Sequence, residues 1–151
     1  MKYFEDVVLG EVLESQPYRV TKEETISFAT QWDPQPFHID EEYAATTELG
    51  LIGSGIHSIA LVAKLANQTV EHEPNSTICG LGWDDTRLVT PLRPNDDVRA
   101  KIEVQAKRIS NSRPTAGIVT SMLSLVNQRD ETIVSYLSKT LMGRQPTEKD
   151  G

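Results

Sequence analysis

The chain has 151 residues, 38% of them apolar and 25% charged, the composition of an ordinary globular domain large enough for one core. Its formal net charge of −7 argues against nucleic-acid binding through overall electrostatics, and no run approaches the roughly 18 apolar residues that cross a membrane, so neither is an expected partner. The single cysteine, Cys79, excludes an internal disulfide and a cysteine-built zinc site.

The opening segment from Met1 to Asp6 is acidic where a secretory leader would be basic and then apolar, which with the cysteine usage leads to an expected cytoplasmic location. Val12 to Val20 reads as a first extended segment interrupted by Pro17. Thr21 and Glu24 have the spacing of a capping box, opening a helix that carries Ile26, Phe28, Ala29 and Trp32 and must stop before Pro34 and Pro36. A stiff loop then leads to His38, and Asp40 caps a short second helix. Ser54 to about Val70 predicts a third, apolar on nearly all sides and therefore buried. Beyond it the period changes to two. Thr77 to Val89 is one long extended stretch. Val98, Ala100, Ile102, Val104 and Ala106 alternate with polar residues as a half-buried strand. Ala116 to Val126 and Thr132 to Met142 follow, joined by a turn at Asn127 to Asp130. Residues 1–145 form one domain in this reading. The chain from Arg144 onward is expected to fray, with 146–151 as a polar tail. The layout predicts an α+β fold, an antiparallel sheet curled around one long helix, with an open edge that a second copy of the chain would cover.

Two features carry chemistry. Asp33-Pro34-Gln35-Pro36-Phe37-His38 sets an acid and an imidazole on a proline-stiffened segment, where they can share a water molecule or a substrate proton. Gly53-Ser54-Gly55 opens the buried helix and can present backbone N–H groups to a developing negative charge. It is no nucleotide-phosphate loop, because no Lys-Ser/Thr follows and no βαβ pattern surrounds it. Trp32 and Trp83 read as packing residues. His72 reads as a solvated residue. Arg87 and Arg93 flank the turn around Pro91, and Lys107, Arg108 and Arg113 form a second basic cluster. Either set suits phosphate groups or simply covers strand ends. Asp33, His38 and His57 have metal-ligand chemistry but no recognised ligand spacing, so no metal is expected.

The motifs together resemble the MaoC-like hydratases and dehydratases of the hotdog fold, which include (R)-specific enoyl-CoA hydratases. The resemblance rests on Phe28, Ala29, Asp33, Pro36, Phe37 and His38, on Gly53 to Ser58, and on Gly82-Trp83-Asp84, Arg87, Pro91 and Arg93-Pro94. Gln35 stands where members usually carry Asn. Ser54 replaces a His, as in a branch of the family that has a histidine shortly after the glycine, here His57. Asn95 replaces a turn Gly. Val62 stands where some members have a serine that orients the acid, and Ser58 lies one turn earlier. The resemblance implies addition or removal of water across an α,β-unsaturated acyl thioester. Asp33 and His38 would be the acid–base pair and Gly55 the oxyanion donor. Gln35, Phe37, Ser54, His57, Arg87 and Arg93 would contact substrate, with His57 shaping the pocket or serving the core. Acyl-CoA would be the substrate, with no separate cofactor. The partner would be a second copy in a homodimer, a higher assembly, or a second hotdog subunit. A hotdog thioesterase is the first alternative, weakened because Ile56 to Val70 holds no Asp or Glu. A non-catalytic acyl-binding subunit is the second, weakened because the Asp/His pair is present.

Overall fold

A computed structural model describes residues 1–69 and 74–147. His72 and the tail beyond residue 147 lie outside them. After a 3₁₀ turn at Phe4–Asp6 come β1 (Val12–Glu14), β2 (Tyr18–Arg19), α1 (Lys22–Trp32), α2 (Pro36–Ile39), α3 (Glu41–Ala44) and α4 (Gly55–Thr69). Four long strands complete the fold: β3 (Thr77–Leu88), β4 (Asp97–Ile109), β5 (Ala116–Val126) and β6 (Thr132–Gly143). The sheet is antiparallel, in the order β1-β4-β5-β6-β3, and β2 also pairs with β4. The helix α4 packs against β4, β5 and β6. This is the expected α+β hotdog arrangement.

The core follows from the alternation. Val98 and Ala100 of β4, Leu125 of β5 and Val134 and Tyr136 of β6 meet Leu61, Val62 and Leu65 of α4. A smaller cluster, Phe4, Val7, Val104, Val119 and Met142, closes the other end of the same face. Gly117 is a glycine there because an added Cβ would overlap the Phe4 ring. The alternation in β4 does not run as far as the sequence suggests. A register shift between Val104 and Ala106 leaves Ala106 exposed and pairs Lys107 with buried Val119. The Lys107 ammonium then holds the carbonyl oxygens of Phe4, Glu5 and Val7.

Other expectations change as well. The extended segment at 12–20 splits into β1 and β2 around Pro17, and both halves pair with β4. The stretch leading to His38 is a helical turn rather than a loop, with Pro36 at its first position, where a missing N–H costs nothing. Thr21 caps α1, but the Glu24 carboxylate turns inward instead of completing the box. α4 is buried on one stripe only, and Ile56, Ala60 and Ala63 are exposed, because one chain's sheet covers one side of it. Trp32 and Trp83 are open to solvent at 62% and 57% exposure, one at a helix end and the other on the edge strand. Arg144 and Gln145 are anchored rather than frayed, since both bond to Glu5. Asn95 takes φ 66°, as its place in the turn requires.

Candidate active site

Asp33 is the C-cap residue of α1, and His38 lies on α2. The rigid turn brings the two side chains together, with His38 Nε2 at 3.5 Å from Asp33 Oδ2. His38 is buried, and its Nδ1 is 2.6 Å from the carbonyl oxygen of Ile52. A carbonyl only accepts, so in the neutral ring Nδ1 carries the proton and Nε2 is left as a free lone pair facing the carboxylate. That is the tautomer a general base needs. Phe37 packs its ring edge-on against the imidazole, with centroids 4.4 Å apart.

Ser54 sets the other side of the pair. It is fully buried, and its hydroxyl donates to Asp33 Oδ2 at 2.7 Å while accepting the Ile56 N–H at 3.2 Å. The same oxygen therefore caps α4 and holds the acid. Gly55 is the first residue of α4, so its N–H has no acceptor within the helix, and the positive end of the dipole lies there. An added Cβ on Gly55 would come within 2.7 Å of Leu88 Cδ1, and one on Gly53 within 2.8 Å of Leu92 Cδ2. At Gly53 the close approach to buried Leu92 requires glycine, whereas Gly55 lies under the exposed tip of Leu88.

These groups open onto a cavity of about 480 Å³. Its polar lining comes from Asp33, Gln35, His38, Ser58 and Thr90. Leu49, Ile52, Leu88, Val89, Pro91, Leu92 and Ile133 supply apolar surface. A second pocket of about 280 Å³ adjoins it and shares Phe37, Leu49 and Ile52. The arrangement can hold a small polar molecule against both an acid and a base, with a free backbone donor in the same apolar-lined cavity.

Residues 5–126 match the model of the MaoC like domain family. The chain belongs to that family. It is 30% identical to the uncharacterized protein YdeM of Bacillus subtilis over 83% of this chain and 88% of YdeM. Among solved structures it is similar to the MaoC-like dehydratase of Rhodospirillum rubrum, with 33% identity, a TM-score of 0.87, and coverage of 97% of this chain and all of that one. It shares its fold with the R-hydratase PhaJ1 of Pseudomonas aeruginosa at 24% identity and a TM-score of 0.74, over 95% of this chain and 86% of that one.

Within this MaoC-like domain, the sequence-derived site residues separate into three groups. Asp33, His38, Gly55, Gln35 and Phe37 line the cavity. Ser54 and His57 lie behind it. His57 points away from Asp33, with Nε2 at 3.2 Å from Glu24 Oε2 and its ring stacked on Phe28 at 4.3 Å. Glu24 in turn accepts a bond from the Tyr18 hydroxyl. Burial pushes the His57 pKa down, against the opposing pull of Glu24. Arg87 and Arg93 are outside the cavity: Arg87 pairs with Asp85, and Arg93 bonds to the Leu49 carbonyl and bridges to Asp96 through its N–H. Sequence reasoning did not identify the Tyr18–Glu24–His57 chain or the Ile52 carbonyl. The available signal was Glu24 itself, a carboxylate placed to face the buried helix.

Proposed function

We propose that this chain adds water to, or removes it from, the α,β double bond of an enoyl thioester, with coenzyme A as part of the substrate and no separate cofactor. The observation that carries this reading is that the Asp33/His38 pair and Gly55, at the start of α4, line one largely apolar cavity. In hydration, a water held by Asp33 loses a proton to His38 Nε2 and attacks the β carbon. Charge developing on the thioester oxygen is met by the Gly55 N–H and the helix dipole, a contribution of roughly 2.7–4 kcal/mol for one such donor. The pair then returns that proton to the α carbon. Dehydration is the same path reversed. Ser54 fixes the carboxylate and Ile52 the imidazole, so neither must reorganise during the reaction.

The family membership and the hydratase named among its fold neighbours support the reading. Against the thioesterase alternative, α4 offers no carboxylate to the cavity. No helix among the described residues is long and apolar enough to cross a membrane. From the single, exposed and unpaired Cys79 we infer a cytoplasmic enzyme. We also infer pairing with a second copy, or with a second hotdog subunit, through the exposed edge strand β3. The test is loss of enoyl absorbance on trans-2-enoyl-CoA substrates of several chain lengths, with His38→Ala beside wild type. Hydration by wild type and not by the variant is the expected result. Equal rates would remove His38 from the mechanism.

A further inference from the structure

The first turn of α4 carries a polar group that the acid–base chemistry does not use. Ser58 is 2% exposed and lines the catalytic cavity. Among the described residues its side-chain hydroxyl forms no hydrogen bond, and it is not sealed from the cavity as the unpartnered Glu24 Oε2 and His57 Nδ1 are, whereas His38, the other buried polar side chain of the lining, is bonded. Ser58 stands three residues after Gly55, on the same helix face and about 4.5 Å further along the axis. The side chain leans back toward the helix start, so with the thioester oxygen at the Gly55 N–H, a position that rests on the hydratase reading, acyl atoms just beyond the double bond come within reach of the hydroxyl. Leu92 and Ile133 add only hydrocarbon to the lining, and the other hydroxyl, Thr90, is only half-buried.

We propose that Ser58 is a specificity-determining residue, and that the substrate carries a neutral oxygen function, a hydroxyl or carbonyl, on the carbon next to the enoyl double bond. A plain hydrocarbon chain would leave a buried hydroxyl unpaired, and sites built this way discriminate strongly against analogues lacking the polar group. A carboxylate substituent does not fit. Among the described residues no Lys or Arg lines the cavity, and Asp33 already places a carboxylate there.

The test is a shape-matched pair, 4-hydroxybut-2-enoyl-CoA and trans-2-pentenoyl-CoA, which differ by hydroxyl against methyl. Wild type is expected to favour the hydroxy substrate in kcat/KM by about fivefold or more. Ser58→Ala should abolish the preference, and Ser58→Thr should keep it. Alanine removes one unbonded oxygen and favours helix, so folding is preserved. Hydration of both substrates at equal kcat/KM, or a preference unchanged in Ser58→Ala, overturns the proposal and leaves the hydratase reading intact. If wild type hydrates neither, that reading fails. Calorimetric titration with the unreactive pair 4-hydroxybutyryl-CoA and pentanoyl-CoA then decides: tighter binding of the hydroxy compound that Ser58→Ala loses supports the role of Ser58, and equal or absent binding overturns it.

Discussion

A single hydroxyl, that of Ser54, joins two parts of the site. It donates to the Asp33 carboxylate and accepts the helix N–H of Ile56. Ser54→Ala is expected to lower stability by about 1 kcal/mol through the lost cap. It should also lower kcat about tenfold, the scale of a hydrogen bond to a charged group, with KM little changed. Ser54→Thr keeps the hydroxyl and should recover most of the rate. Steady-state kinetics and thermal melts separate the two effects, and an unchanged kcat in Ser54→Ala would show that Asp33 needs no such support. Asp33 and His38 themselves should each cost at least roughly 10²-fold in turnover when replaced by Asn and Ala. Their stability effects should differ. Asn can still accept from Ser54, but removal of His38 leaves the Ile52 carbonyl without its donor.

At the scale of elements, the site depends on how α1 meets α4, since Asp33 ends one and Gly55 begins the other. The contact between them is polar at its centre: Tyr18 to Glu24 to His57, with Phe28 stacked on the imidazole. Burial makes protonation of His57 less favourable in the folded chain than in the unfolded one. The unfolded state therefore binds the proton first as the pH falls. This group leaves stability unreduced above the ordinary imidazole value of about 6.5, and stability declines as the pH drops through it toward the lower folded value. Denaturant unfolding of wild type at pH 7.5 and 5.5 should show that loss, and His57→Gln should show less of it. An identical pH response in the two proteins would place the acid sensitivity elsewhere.

In the whole molecule, the sheet ends in a short edge strand, β1, and a long one, β3. β3 forms the open edge, exposed along its full length and carrying Ile78, Leu81 and Trp83 to solvent. Its last residue, Leu88, lies over Gly55 and is 66% exposed. Long apolar edges are what natural proteins cover. The proposed pairing with a second copy would cover this one and place the partner next to the cavity. Leu81→Lys combined with Trp83→Lys should convert the assembly to monomer in sedimentation velocity and lower turnover with it. A wild-type chain that sediments as a monomer at micromolar concentration would end this reading.

Much of this was written in local chemistry along the chain. The caps at Thr21 and Asp40, the prolines after α1, the apolar run of α4 and the period-two strands all depend on neighbours a few residues away. So does the closeness of Asp33 and His38, because a helix end and a proline-started turn leave the intervening chain few conformations. What needed the tertiary structure depends on residues far apart in sequence. Glu24 left its capping box because His57, distant in the chain, arrived beside it. Ser54 became a support for the acid rather than part of the cavity wall. The alternation of β4 ended at a register shift set by its pairing with β5. The two tryptophans stayed exposed because exposure is a property of the sheet edge and helix end on which they fall, and not of the residue type.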